Sequence, residues 1–270
     1  MNEKAKELLG KAKYDFADLC RVMEILRGEG GCPWDREQTH ESIRKNFIEE
    51  TYEVVEAIDT KDAHLLCEEL GDVLLQVVFH TQIEREAGRF TIDDVTDGIV
   101  KKLIYRHPHI FADTTAETAE TVLDNWDKLK AKEKHRDTVT ASMRSVPRPL
   151  PALMRAEKVG KRAAKVGFDF ATAADAAVKI AEETNEVLTA TDATRAEEVG
   201  DLLFAAVNVA RKCGVDPERA LSDATDKFID RFAAVEDAVR ADGKRMEDLP
   251  LSVLDTYWDR VKANRNGENT

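Results

Sequence analysis

Turn-forming residues are scarce in this sequence. It holds 13 glycines and 7 prolines among 270 residues, well under the ordinary usage of roughly 7% and 5%. Few turns and long helices follow. Period-two alternation of apolar and polar residues is missing over any useful length, which predicts essentially no sheet. Long apolar runs are absent as well. The longest, Val73 to Phe79, is broken by Gln76 and falls far short of the roughly 18 residues of a membrane span. The stretch Met1–Lys13 is charged and lacks the apolar core of a secretory signal. Only four cysteines occur, Cys20, Cys32, Cys67 and Cys213, with no Cys-x-x-Cys pair. That excludes a zinc ribbon and a disulfide framework, and reduced thiols in a cytoplasmic protein are expected. Positive charge is in deficit: 40 Lys and Arg face 53 Asp and Glu, a net charge of −13. A dedicated binder of nucleic-acid backbone needs the opposite balance. A small anionic substrate, held by a local basic cluster or a metal, stays open. No Gly-x-x-x-x-Gly-Lys loop is present, so the chain is not a P-loop protein.

What the chain does have is apolar content, 43% of residues, ample for a buried core, and a length that suggests about two domains at roughly 150 residues each. It also repeats itself. Glu49-Glu50-Thr51-Tyr52-Glu53-Val54 is answered by Glu182-Glu183-Thr184-Asn185-Glu186-Val187. Glu68-Glu69-Leu70-Gly71-Asp72 is answered by Glu197-Glu198-Val199-Gly200-Asp201. Lys102 and Arg106 correspond to Lys227 and Arg231, and Trp126 to Trp258. Four matches in one order mean two tandem copies of one unit. The expected layout is all-α: a first domain over 1–135, a proline-containing linker over 136–151 with Pro147, Pro149 and Pro151, and a second domain over 152–270. About four main helices are expected in each. In the first copy they lie near 40–58, 62–87, 92–106 and 117–134. In the second, Thr172 with Asp175 reads as a capping box. A further helix starts after Asp192 or Thr194, Asp216-Pro217 opens a long third one, and Ser252 with Asp255 opens the last.

Glu50 and Glu53 are three apart on one predicted helix, and Glu69 and Asp72 three apart on the next, so each pair shares a face. Glu183/Glu186 and Glu198/Asp201 repeat the pattern. A lone Glu-x-x-Glu is usually a solvated face. Here the second helix of each pair runs on into apolar residues and should lie inside a bundle, antiparallel to its predecessor. Four carboxylates then meet across one seam. Two like charges about 4 Å apart repel by roughly 4 kcal/mol at an effective dielectric near 20. Such a cluster binds protons or a cation. An all-oxygen donor set favours Mg²⁺, or Mn²⁺ in its place. A di-iron bundle expects Glu-x-x-His pairs on facing helices, and Glu37–His40 is alone in having that spacing. Lys227 and Arg231, four apart and repeated as Lys102 and Arg106, suit phosphate groups. Trp258 and Trp126 are core residues or platforms for a base.

The sequence resembles the MazG family of all-α nucleoside triphosphate pyrophosphohydrolases. The likeness rests on the Glu-Glu-x-x-Glu and Glu-x-x-Asp patterns and on Gly31-Cys32-Pro33-Trp34-Asp35. It rests also on Arg106-His107-Pro108-His109-Ile110-Phe111 and Leu150-Pro151-Ala152-Leu153-Met154-Arg155-Ala156. It spans about Leu19 to Lys262. It implies hydrolysis of NTPs or dNTPs to NMP and pyrophosphate, with Mg²⁺. It implies metal ligation by Glu183, Glu186, Glu198 and Asp201, phosphate contacts from Lys179, Lys227 and Arg231, a pocket lined by Arg195 and Glu197, and nucleotide contact by Trp258. Glu182 is a candidate base. A homodimer is implied, with sites completed across subunits, and neither a nucleic-acid polymer nor a membrane as partner. Glu50, Glu53, Glu69 and Asp72 form a second site of the same kind. Asn46 stands opposite Lys179 and Leu66 opposite Arg195, so the second copy has two more cations and is expected to hold the main active site. A nucleotide-sensing module without turnover is the alternative reading.

Overall fold

The computed structural model describes residues 3–112, 118, 122, 126, 129 and 138–267. They fall in two compact units, Met1–Leu129 and Lys130–Thr270. Among the described residues there are helices and no strand, and no helix is long and apolar enough to cross a membrane.

The first unit contains α1 (Glu3–Leu9), α2 (Phe16–Arg27), α3 (Pro33–Glu37), α4 (Arg44–Thr60), α5 (Ala63–Glu86), α6 (Ile92–Arg106) and α7 (Pro108–Phe111). Local chemistry sets their ends. Asp15 and Asp18 form a capping box on α2, and Thr91 with Asp94 forms one on α6. Between α4 and α5 only Lys61 and Asp62 intervene. Lys61 adopts a left-handed φ of 57°, and the Asp62 carboxylate accepts from the His64 and Leu65 amides. A connection this short folds α5 back against α4 as an antiparallel neighbour. Met23, Ile43, Val78 and Phe79 form the core beneath them. Arg27 ties that core to the loop after α2. Its guanidinium lies 5.3 Å from the Phe79 ring centre, pairs with Glu86 at 2.8 Å and donates to the Asp35 and Gln38 carbonyls.

The second unit contains α8 (Val139–Arg144), α9 (Ala152–Ala164), α10 (Ala173–Thr189), α11 (Arg195–Lys212), α12 (Pro217–Ala241) and α13 (Leu251–Gly267). Thr172 and Asp175 make the expected capping box. Asp216 caps α12 through the Glu218 and Arg219 amides, with Pro217 in the first turn. Helices α10 and α11 pack as one hairpin and α12 and α13 as another. Val235, Val239 and Tyr257 fill the second hairpin, where the Tyr257 hydroxyl donates to Asp242 at 2.6 Å.

The structure departs from the sequence reading in several places. Helix α4 begins at Arg44 rather than near 40, because Thr39 and Ser42 bond each other's backbone amides in a turn. Helix α13 begins at Leu251, where the Pro250 carbonyl accepts from Val253 and Leu254. Ser252 therefore sits inside the first turn and is not the cap. Helices α1, α2, α3, α8 and α9 were not among the predicted ones. The short α8 lies in the proline-containing stretch, held by Arg162, which donates to the Ser142 carbonyl and the Ser145 hydroxyl. The helix predicted over 117–134 falls outside the described residues apart from four positions.

The apolar run of α5 is only half inside its unit. Val78 and Phe79 are buried, while Leu74 is 39% exposed. Exposed apolar residues also line up at helical spacing on α4 (Ile48, Tyr52, Val55), α6 (Val95, Ile99, Leu103) and α12 (Leu221, Phe228, Phe232). These are contiguous apolar stripes, not scattered singles. Truncation of the core should be costly: Met23→Ala is expected to destabilise the first unit by about 2–5 kcal/mol, read from its denaturant midpoint.

Candidate metal and phosphate site

The α10–α11 hairpin faces Glu183 and Glu186 against Glu198. One oxygen from each lies within 4.8 Å of the others. Asp201, one turn beyond Glu198, acts on both Glu183 and Glu198. The α4–α5 hairpin gathers Glu50, Glu69 and Asp72 in the same way, with Glu53 in hydrogen-bonding contact with Glu50 and Glu69. Both pairings follow from i,i+3 spacing on two antiparallel helices joined by a short turn.

The electrostatics are those of crowded like charges. The Glu183 carboxyl is pushed above its ordinary range by burial, then by Glu186, Asp201 and Glu182, with Lys179 opposing. Glu198 is raised by burial and by Glu186. Glu50 and Glu69 are raised by burial and by their carboxylate neighbours. Each cluster is a set of oxygen donors that holds protons more tightly than isolated carboxylates do. That is the donor chemistry of a hard divalent cation.

The cations assigned from sequence divide into two groups. Lys179 stands at the cluster: its Nζ lies 2.7 Å from Glu182 and feels Glu183 and Glu186. Arg195, in the first turn of α11, pairs with Asp192 at 2.7 Å and donates to the Ala190 carbonyl. Exposed Glu197 follows it. Lys227 and Arg231 lie on the other hairpin, on α12. Lys227 is exposed, and the Arg231 Nε is buried with no hydrogen-bond partner. Trp258 on α13 is half-buried with its ring 5.2 Å from Phe228. Phe228 was missed in the sequence, although its four-residue spacing to Phe232 on the helix of Lys227 and Arg231 was a usable signal. In the first unit, Arg106 lies 5.2 Å over the Trp126 ring, and Lys102 is exposed on α6. Asn46 and Leu66 occupy the places of Lys179 and Arg195. His40, of the Glu37–His40 spacing, bonds His80 and Glu84 instead.

The sequence is similar to several known proteins. The MazG nucleotide pyrophosphohydrolase domain matches residues 38–111, which hold the first carboxylate set. Over 249 residues, 92% of this chain and 96% of the relative, the sequence is 45% identical to a Thermotoga maritima protein named nucleoside triphosphate pyrophosphohydrolase/pyrophosphatase MazG. It is 44% identical over 251 residues, 90% and 95% of the two chains, to the nucleoside triphosphate pyrophosphohydrolase of Escherichia coli K12. A Mycobacterium tuberculosis protein of the same name is 36% identical over 226 residues, covering 83% of this chain and 59% of the relative.

A carboxyl with a raised folded pKa contributes stability below its unfolded value and loses it as pH rises through the folded value. Glu198→Gln should therefore raise the melting temperature at neutral pH in EDTA. The gain should vanish below the ordinary carboxylate range, where Glu198 is already neutral. Calorimetry of both proteins across that range checks this.

Proposed function

The chain belongs to the MazG family of nucleoside triphosphate pyrophosphohydrolases, and on that premise we propose that it hydrolyses NTPs and dNTPs between the α and β phosphates, in its second unit, to NMP and pyrophosphate. It is a hydrolase. The observation that carries the placement is Lys179 beside the Glu183–Glu186–Glu198 cluster, where the first unit has Asn46.

Glu183, Glu186, Glu198 and Asp201 fit Mg²⁺, with Mn²⁺ as a substitute: the donors are all oxygen, and their mutual repulsion is what a dication relieves. Such an ion supplies neutralisation of phosphate charge and a water of lowered pKa. The chain's own groups supply the rest. Lys179, Lys227 and Arg231 bind phosphate oxygens through charge-assisted hydrogen bonds. The unpartnered Nε of Arg231 is a buried donor suited to such an acceptor. Arg195 and Glu197 border the pocket. Trp258, backed by Phe228, offers a flat face to the base, a contact tolerant of base identity. Glu182 orients Lys179 and is the candidate proton acceptor.

The first unit has the full carboxylate set, with Lys102, Arg106 and Trp126, but lacks the cations at 46 and 66. It is the weaker or regulatory site. The uncovered apolar stripes on α4, α6 and α12 support a homodimer in which a second copy covers them. The carboxylates lie on one hairpin and Lys227, Arg231 and Trp258 on another, which suits a site completed between copies. A cytoplasmic location accords with four free thiols.

Product analysis tests the reaction: each NTP and dNTP should yield NMP and pyrophosphate with Mg²⁺, and nothing in EDTA. NDP and phosphate would place the phosphates in another register. Bound nucleotide without turnover would favour the sensing alternative. Glu186→Gln should cut turnover by at least about 100-fold with the fold intact, and Glu53→Gln by less than about tenfold. Equal losses would remove the second unit as the main site. Light scattering should give twice the chain mass.

A further inference from the structure

Behind its carboxylates the first unit carries a polar line that the second lacks. Glu69, Asp72, Gln76, His80 and Glu84 recur every three or four residues along α5 and so share a face. The aligned residues are Glu198, Asp201, Ala205 and Val209 of α11 and Cys213 just after it. The far end of the line is closed by His40, from the segment before α4. His40 Nε2 lies 2.5 Å from Glu84 Oε1, and His40 Nδ1 lies 2.7 Å from His80 Nδ1. The two rings are parallel to within 8° with centroids 5.0 Å apart. That is about the largest centroid separation a nitrogen contact this short permits. The imidazoles therefore meet edge to edge, in line, and do not overlap face to face.

This geometry fixes the proton count. Glu84 is buried and takes two hydrogen bonds from Arg89. Its carboxyl is held down to about 2, by Arg89 first and then His40. It is an acceptor only, so His40 Nε2 carries hydrogen. With both rings neutral, His40 Nδ1 is bare and His80 Nδ1 donates to it. One added proton reverses the link: it enters at His80 Nε2 while the shared proton passes from His80 Nδ1 to His40 Nδ1, so that His40 becomes the cation and donates. A second added proton sets two N–H groups against each other, and the link cannot form.

The charges facing the pair are few. Glu84 and Arg89 stand at His40, as does Glu41, whose carboxyl is lowered by its own backbone amide first, then by Thr39 and by His40. From α4 the uncharged Phe47 ring lies 5.8 Å from His80. On α2, Arg27 is engaged with Glu86, Asp35 and Gln38, and Glu24 bonds Arg85. Asp93 of α6 faces Cys20. Burial and His40 push His80 below its ordinary value.

We propose that His40 and His80 form a one-proton latch that fastens the approach to α4, residues 38–43, against α5, and that a second proton releases it. Ile43, at the end of that approach, is a core residue, and Phe47 and Glu50 follow within two turns. Release therefore loosens the side of α4 that carries the first carboxylate set. The second unit has Ala173 and Val209 in the places of the two histidines and has no such response. A histidine with a depressed folded pKa gives stability that is full above its unfolded value and is lost as pH falls toward the folded one. The latch thus opens on the acid side.

Imidazole nitrogen NMR on the full chain, from about pH 8 to about pH 5, tests the latch together with amide hydrogen exchange corrected for intrinsic rates. The two rings should titrate in linked steps, one before the other. Protection of residues 38–47 should fall about tenfold on acidification, and that of 171–180 by less than about twofold. His80→Val, which installs the second unit's residue, should abolish the difference. If that variant does not fold, the wild-type titration decides. Two independent titrations at the ordinary histidine value, or equal loss of protection in both segments, would overturn the proposal.

Discussion

Carboxylates crowded on one helix–helix seam are the constraint around which each unit is arranged. Four acidic side chains from two antiparallel helices repel one another, and burial makes the repulsion worse. In the second unit Lys179 opposes it in part. Glu50, Glu69, Glu183 and Glu198 all hold protons above the ordinary carboxylate range as a result. The surrounding structure keeps this arrangement in place. Asp62 and the left-handed Lys61 enforce the tight α4–α5 turn, and caps at Thr172 and Asp216 fix the ends of α10 and α12. The electrostatic strain of a crowded anionic seam is of the kind a bound cation would relieve.

The two copies of the unit keep this seam and differ in what adjoins it. In the second copy, Lys179 sits beside the cluster, and the helix beyond Asp201 is apolar at Ala205 and Val209. In the first, Asn46 and Leu66 replace the cations, and Gln76, His80 and Glu84 continue the polar face. One copy has added positive charge in front of its carboxylates. The other has added titratable groups behind them. The two units share the carboxylate set and differ in its neighbours.

Much of this was legible in the sequence. Spacing placed Glu50 with Glu53 and Glu198 with Asp201 on single faces, because the helical period is fixed by backbone geometry. Capping chemistry at Thr172 and Asp216 marked helix starts to the residue. It failed at Ser252, where Pro250 had already opened the helix, and at residues 40–43, where Thr39 and Ser42 preferred a local turn to the helix. The helices α1 to α3 and α8 to α9 were not read, although α2 and α9 carry amphipathic periodicity at least as clear as that of α4. The His40–His80–Glu84 link was invisible because residues 40 apart meet only when α5 folds back along α4.

The sequence alone determined the repeat, the all-helical class and the two carboxylate sets, because helix period and short connections are local properties. Only the tertiary structure decided which charges are neighbours. It paired Lys179 with Glu182 and Arg195 with Asp192, set Phe228 behind Trp258, and left apolar stripes of α4, α6 and α12 uncovered. Electrostatic and hydrophobic partners are chosen by distance in space. The chain reveals that distance only once its helices have packed.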